Sequence, residues 1–166
     1  MSNDTIAGSG LEKMFYGQIL SILVIIPLVG WIAAIVGIVL FLVGLHEAAG
    51  ADEGYRTAFY VEIGILVLSV LAVFIGVLNI VTSILSLVVI YLVCTTTAGL
   101  LEVKGDLGTA ARGRFAWKFY GGCTALVVVC SILSLIPLVN ILAMVVIVPA
   151  SIASVVGGIL LLIFLY

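Results

Sequence analysis

Residues 64–101 read GILVLSVLAVFIGVLNIVTSILSLVVIYLVCTTTAGLL, and no charged side chain occurs among them. A single helix of this length would measure about 57 Å at about 1.5 Å per residue, whereas the hydrocarbon core of a bilayer is about 30 Å thick. The chain must therefore reverse. Because backbone polar groups cannot face lipid unpaired, the reversal belongs at an interface or inside a bundle. The stretch predicts a hairpin of two membrane-spanning helices.

The same composition extends over the whole chain. Of its 166 residues, 65% are hydrophobic and 8% are charged, whereas a soluble domain has about 25% charged residues. So few charges cannot cover a water-exposed surface. The predicted fold class is therefore all-α, a polytopic integral membrane helical bundle that forms a single domain over residues 1–166. The net charge of −2 gives no reason to expect a nucleic-acid partner.

Six transmembrane helices arranged as three hairpins account for the apolar stretches. The predicted helices cover residues 11–26, 31–48, 57–75, 80–102, 114–136 and 141–166. They pair into hairpins at residues 11–48, 57–102 and 114–166, and charged loops at residues 47–56 and 103–113 connect the hairpins. The first two helices are short, so the first hairpin either thins the bilayer or enters without crossing it. Pro149 should kink the last helix, because proline lacks an amide hydrogen and clashes one turn back.

Each hairpin contains a similar turn sequence, which predicts a threefold internal repeat. The turns read IPLVGW at residues 26–31, IGVLNI at 75–80 and IPLVNI at 136–141. The Pro or Gly in second place ends or loosens a helix. Asn79 and Asn140 are predicted to cap the helices that follow, because an asparagine side chain accepts a hydrogen bond from a free amide at a helix start. Chance similarity between apolar segments is the alternative explanation of the repeat.

The basic residues predict the orientation of the chain in the membrane. All six lie on one side of the three-hairpin arrangement, and segments rich in Lys and Arg normally remain in the cytoplasm. We expect the N-terminus, the charged loops and the C-terminus to be cytoplasmic, in the plasma membrane of a bacterium or archaeon. The start of the sequence lacks the basic segment and short apolar core of a signal peptide, so we expect it to be uncleaved.

Glu62 is the charged residue placed furthest into an apolar segment, about one turn inside the predicted interface. Ionisable side chains inside a membrane are costly and are often functional, which makes Glu62 a candidate functional residue. The alternative is an interfacial anchor, paired with Arg56, Lys118 or Lys13. The two turn asparagines are further candidates, although helix capping explains them better.

The remaining polar residues predict no catalytic chemistry. His46 is the only histidine and lies beside Glu47 at a predicted helix end, and a lone histidine makes a poor metal site. The spacing of the three cysteines matches no common zinc pattern; they are Cys94, Cys123 and Cys130. The hydroxyls of Thr95, Thr96 and Thr97 are expected to bond to carbonyls of their own helix. We therefore expect no catalytic residue, no metal, no cofactor and no enzymatic activity.

Small residues predict close helix packing. Ala150, Ser154 and Gly158 recur every four residues in the last helix, a spacing that lets helix backbones approach closely in lipid. Three further pairs share the spacing: Ala33 with Gly37, Ala72 with Gly76, and Gly121 with Ala125. Such faces suit contacts within one chain and contacts between copies equally well.

Together these features favour a non-enzymatic integral membrane protein that acts through assembly. It would form a homo-oligomer or serve as the small subunit of a membrane complex, surrounded by membrane lipids. A channel or small-solute transporter is the alternative, because repeated hairpins can enclose a pathway. The small number of polar groups in the apolar segments argues against that alternative.

The segment of residues 18–45, which includes the turn IPLVG at 26–30, resembles small, uncharacterised bacterial six-pass membrane proteins of the HdeD-like type. Those proteins are built from three helical hairpins with proline-containing turns. The resemblance implies the architecture alone and assigns no functional residue.

Overall fold

The computed structural model describes residues 3–22, 29–133 and 140–165, which form six α-helices. They are α1 (Asn3–Ile22), α2 (Val29–Ala48), α3 (Glu53–Ala72), α4 (Leu78–Val103), α5 (Leu107–Leu133) and α6 (Asn140–Leu165). No strand occurs among the described residues, which confirms the all-α fold class. The predicted turn residues at 26–28 and 136–139 lie outside the described ranges.

Four helices are long and apolar enough to cross a membrane. Within the described residues they are α3, α4, α5 and the segment Val146–Leu165 of α6. The second helix contains a shorter apolar segment, Ile32–Ala48. These helices indicate a membrane location and a multi-pass chain, whereas crossing of the membrane by α1 and α2 stays a prediction.

The chain divides into two compact units. The first comprises Met1–Tyr60 with Leu165–Tyr166, and the second comprises Val61–Phe164, so the boundary falls inside α3. Helices α1 and α2 pack against each other in the first unit, and α4 packs against α5 in the second.

Glycines bring α1 and α2 into backbone contact. A Cβ atom added to Gly10 would lie 2.5 Å from the carbonyl oxygen of Gly44, and one added to Gly17 would lie 2.6 Å from the carbonyl oxygen of Gly37. Cβ atoms essentially never approach other atoms this closely, so the contact requires glycine. Close approach through small residues is a common packing mode of membrane helices. The two helices run antiparallel, and Met14 is fully buried.

Aspartates cap the helices that follow the two charged connections. The Oδ1 atom of Asp52 accepts a hydrogen bond from the amide of Gly54 at 2.7 Å, and Oδ1 of Asp106 accepts one from the amide of Thr109 at 3.0 Å. Such bonds satisfy amides that have no partner in the first helical turn. Helices α3 and α5 therefore begin directly after these aspartates, earlier than the predicted starts at residues 57 and 114. The prediction took charge as a sign of a loop, but charged side chains also occupy exposed helical turns.

The connection between α4 and α5 is a tight turn of Lys104, Gly105 and Asp106. The Gly105 amide donates to the carbonyl of Glu102 at 3.0 Å, and the Asp106 amide donates to that of Leu101 at 3.0 Å. This pair of bonds is a Schellman ending, which needs a residue of positive φ after the helix. Gly105 has a φ of +85°, which glycine adopts without steric cost.

The prediction that Asn79 caps α4 is wrong. The helix begins at Leu78, the N-cap position is Val77, and no side chain accepts a capping hydrogen bond there. Asn79 lies exposed inside the first turn. The backbone carbonyl oxygen of Asn79 accepts hydrogen bonds from the hydroxyls of Thr82 at 3.0 Å and Ser83 at 2.8 Å. The turn before α4 is closed by backbone hydrogen bonds, so the asparagine side chain is not needed as a cap.

In the second unit, α5 contacts both α4 and α6. The ring of Trp117 meets Tyr91 of α4 edge to face, with centroids 4.9 Å apart. On the side of α6, a Cβ atom added to Gly157 would lie 3.1 Å from the Cα atom of Tyr120. The apolar segments of α5 and α6 thus approach closely, as expected for an antiparallel hairpin.

Candidate functional site

Glu62 lies near the middle of α3, which runs from Glu53 to Ala72. Its side chain is half-buried. Within the described part of the chain it makes no hydrogen bond and no ion pair. At about 1.5 Å per residue it lies about 9 Å along the axis from Arg56, the basic residue of the same helix. The carboxylate is further along its helix than predicted, because α3 begins earlier than predicted.

Lys13, one of the predicted partners of Glu62, pairs with Glu47 instead. The Lys13 ammonium donates to Oε1 of Glu47, and the Ser9 hydroxyl donates to Oε2 at 3.1 Å. These contacts close the charged end of the α1–α2 hairpin. The sequence alone does not predict this ion pair, because pairing between residues so far apart in sequence depends on the register of two packed helices. The other predicted partners, Arg56 and Lys118, are exposed.

The charged connection after α4 holds a second ion pair. Arg114 Nη2 lies 2.6 Å from Oε1 of Glu102. The hydrogen bonds from the amide and hydroxyl of Thr109, helped by the nearby Arg112 guanidinium, hold the pKa of Asp106 below its usual range. Asp106 is therefore ionised at neutral pH, and this end of the hairpin carries fixed charges of both signs.

His46 occupies an exposed position in the last turn of α2. Its ring lies 5.0 Å from the ring of Phe59, at an interplanar angle of 48°. Among the described residues, no group of three or more His, Cys, Asp or Glu side chains is arranged to hold a metal ion. Asn140 is the first residue of α6, and its side chain lies outside the described part of the structure.

Among the small residues of α6, Gly157 approaches α5 more closely than the predicted Gly158. Ala150 and Gly157 are buried, and the Ser154 hydroxyl donates to the carbonyl of Ala150 at 2.9 Å. A Cβ atom added to Gly158 would stay 4.0 Å from the ring of Tyr120, so Gly157 makes the closer approach. A spacing of four residues drifts around a helix of 3.6 residues per turn, which moves the contact from residue 158 to residue 157.

The other small-residue pairs have different surroundings. Gly37 meets Gly17 of α1. Gly121 is covered by the Trp117 ring of its own helix, since an added Cβ atom would lie 2.6 Å from the ring atom Cζ3. Ala125 is exposed. The same four-residue spacing therefore occurs at a helix contact, beneath a side chain and on an outer face.

Hydroxyl groups mostly bond to their own helices, as predicted. The hydroxyl of Thr95 donates to the carbonyl of Tyr91 at 2.6 Å, and that of Thr97 donates to the carbonyl of Val93 at 2.7 Å. Thr124 differs, since its Oγ1 atom is buried without a hydrogen-bond partner among the described residues. Nothing in the local sequence distinguishes Thr124 from the other threonines.

No protein-family model, no curated protein and no solved structure matches this chain. The resemblance to six-pass proteins of the HdeD-like type therefore stays a prediction.

Proposed function

We propose that this protein is a non-enzymatic multi-pass membrane protein that acts through assembly, as a homo-oligomer or as the small subunit of a membrane complex. The single observation that supports this function best is the unpaired, half-buried position of the Glu62 side chain. Glu62 is a half-buried carboxylate in the middle of an apolar helix, and it has no partner within the described part of the chain.

An ionised acidic side chain at the centre of a membrane helix costs about 2.5–3.5 kcal/mol. That cost falls when a donor or cation approaches the carboxylate. No cation in the described part of the chain pairs with Glu62: Lys13 is engaged by Glu47 and Arg114 by Glu102, and Arg56 and Lys118 are exposed. A polar group on a second membrane-embedded chain is therefore the partner that we propose for Glu62.

We also propose the finer topology, in which all six helices cross the membrane as three repeated hairpins with the charged connections in the cytoplasm. Helices α1 and α2 each contain 20 residues, so each is about 30 Å long, which equals the thickness of the hydrocarbon core. The apolar segment of α2 is Ile32–Ala48, and α1 would carry Glu12 and Lys13 into the bilayer. In intact cells, a cysteine in Val77→Cys should react with an external impermeant reagent. A cysteine in Lys104→Cys should react only after the membrane is permeabilised.

Assembly is tested by native mass spectrometry of the protein extracted gently from its own membrane. We expect a discrete oligomer or a stable complex. Glu62→Leu should lower the assembled fraction about tenfold, because one partner of a buried polar pair is lost. Glu53→Leu is the matched control, since it makes the same change at the exposed start of α3 and should leave assembly unaltered.

A strictly monomeric wild-type protein without partners would contradict the proposed function. Equal assembly of Glu62→Leu and Glu53→Leu would contradict only the proposed role of Glu62 and would leave assembly itself standing.

A small-solute transporter is the second candidate, because an intramembrane carboxylate is also typical of proton and ion paths. In proteoliposomes, such a protein should show a solute or proton flux that Glu62→Gln abolishes. Flux no greater than that of empty vesicles, for ions and common solutes, would exclude this candidate.

A further inference from the structure

A groove lies between the start of α5 and the end of α6. Its volume is about 370 Å³, which falls in the range of about 300–1,000 Å³ typical of small-molecule sites. The residues that define its chemistry are Thr109, Arg112, Phe115, Leu160, Ile163 and Phe164. All of them belong to the second compact unit.

The groove depends on the contact between Gly113 and Phe164. The ring of Phe164 lies directly over Gly113, where an added Cβ atom would collide with it, and both residues are buried. Phe115 on α5 and Ile163 on α6 also line the groove, yet they remain 61% and 67% exposed. These exposed side chains give the groove apolar walls on both helices.

The lining changes from polar to apolar along the groove. Thr109 and Arg112 lie in the first two turns of α5, beside the charged connection. Phe115 and Leu160 lie further into the apolar parts of the two antiparallel helices. The Arg112 guanidinium offers hydrogen-bond donors at this end, whereas the Thr109 hydroxyl already donates to Asp106. A ligand that follows the groove therefore needs an anionic end and an apolar body.

The charge around the groove is predominantly positive. Residues 102–118 contain four basic side chains and two acidic ones: Lys104, Arg112, Arg114 and Lys118, with Glu102 and Asp106. Arg114 is paired with Glu102, whereas Arg112 lines the groove. Asp106 lies close enough to interact with Arg112, but it is already hydrogen-bonded by Thr109. A guanidinium group suits a phosphate particularly well, because its planar donors bind two oxygens at once.

We propose that this groove binds one anionic phospholipid, whose phosphate contacts Arg112 and whose acyl chain lies along Phe115, Leu160 and Ile163. A phospholipid has the required change from an anionic end to an apolar body. Basic pockets between membrane helices are known to take anionic head groups. The site is separate from the carboxylate of α3, and it does not depend on the proposed assembly.

The head-group contact is tested on the full chain in detergent, by native mass spectrometry during titration with phosphatidylglycerol or phosphatidylcholine. The wild-type protein should retain one phosphatidylglycerol more tightly than phosphatidylcholine. Arg112→Gln should weaken phosphatidylglycerol binding about fivefold to tenfold, as expected for the loss of one basic contact. Lys118→Gln removes the same charge from an exposed position of α5 outside the groove, and it should weaken binding less than about twofold.

The acyl-chain contact is tested with a second pair of variants. Ala111 lines the groove at an exposed position, so Ala111→Phe should fill the groove without disturbing buried packing and should also weaken phosphatidylglycerol binding. Ala125→Phe makes the same change at another exposed position of α5 and should leave binding unchanged. Circular dichroism should show that every variant keeps the wild-type helix content.

Three results would overturn the proposal. They are equal retention of the two lipids by the wild-type protein, equal losses for the two glutamine variants, and equal binding by the two phenylalanine variants. The first would show that retention does not depend on a negatively charged head group, and the second that lipids are attracted only by the general charge of this surface. The third would show that the groove does not hold the acyl chain.

Discussion

The helix pairs α1–α2 and α5–α6 both use glycines, but the glycines face different kinds of atoms. In α1–α2, Gly10 faces the backbone of α2 at Gly44. In α5–α6, Gly113 faces the aromatic ring of Phe164. At Gly10 the first pair is therefore held at backbone contact, whereas at Gly113 a ring lies between the helices of the second pair. Further along the second pair, Gly157 approaches the Cα atom of Tyr120.

This difference decides whether a groove remains beside the helix contact. Backbone contact along α1–α2 brings the two helices as close as glycine allows. The aromatic contact of α5–α6 is local, and a groove of about 370 Å³ remains beside it. Glycine thus has two structural uses in these helix pairs, and the atoms opposite it determine which use applies.

The largest expected effect comes from adding one methyl group to the backbone contact. Gly10→Ala should lower the free energy of unfolding by about 1–3 kcal/mol, because neither backbone can move aside. Gly8→Ala should instead raise it by about 0.5–1 kcal/mol through better helix propensity, since nothing lies within 4 Å of an added Cβ atom there. Denaturant unfolding in detergent, followed by circular dichroism, measures both. Effects of the same sign would refute the backbone contact.

A smaller effect is expected where the glycine faces a ring. Gly113→Ala should lower the free energy of unfolding by about 1 kcal/mol, because the Phe164 side chain can rotate away. Gly122→Ala is the control on the same helix, where an added Cβ atom meets nothing within 4 Å. Combining Gly113→Ala with Phe164→Leu should recover part of the loss, as a double-mutant cycle would show. A loss as large as that of Gly10→Ala would remove the distinction between the two helix pairs.

The smallest effect concerns the start of α5, which carries one wall of the groove. Asp106→Ala removes the cap on Thr109, so the first turn of α5 should exchange its amide hydrogens faster while α1 and α2 are unaffected. The folded-state pKa of Asp106 is lowered. Its contribution is therefore complete above the unfolded pKa of about 3.9 and is lost as the pH falls through the folded value.

Hydrogen exchange read by mass spectrometry between pH 7 and pH 3, corrected for intrinsic rates, checks this prediction. Asp106→Asn is the control, because it retains a capping oxygen and has no carboxyl group to titrate. Its first turn should stay protected at both pH values. Equal protection of the wild-type protein and Asp106→Ala at neutral pH would contradict the role of the cap.

Sequence reasoning succeeded where a local property decides the outcome. The uncharged stretch of residues 64–101 falls in two helices separated by a turn, because its length exceeds one membrane crossing. The hydroxyls of Thr95 and Thr97 bond to their own helix, because a carbonyl one turn back is always within reach. In both cases the partner is a neighbour in the sequence.

The same reasoning failed or fell short where the partner is distant or another local bond competes. Asn79 does not cap α4, because backbone bonds already close the preceding turn. The pairing of Lys13 with Glu47 follows from the register of α1 on α2, which charge spacing alone does not determine. For the candidate site, the sequence singled out Glu62, and the structure added its position near the middle of α3 and its lack of a described partner.

By itself, the sequence determined that this protein is helical and of membrane type, because so few charges cannot cover a water-exposed surface and only paired backbones are stable in lipid. Only the tertiary structure decided which glycines face a backbone and which face a ring. It also decided that Arg112 lines a groove while Arg114 is held by Glu102. The physical reason is that these contacts depend on the rotation and register of packed helices, and small shifts in either bring different side chains together.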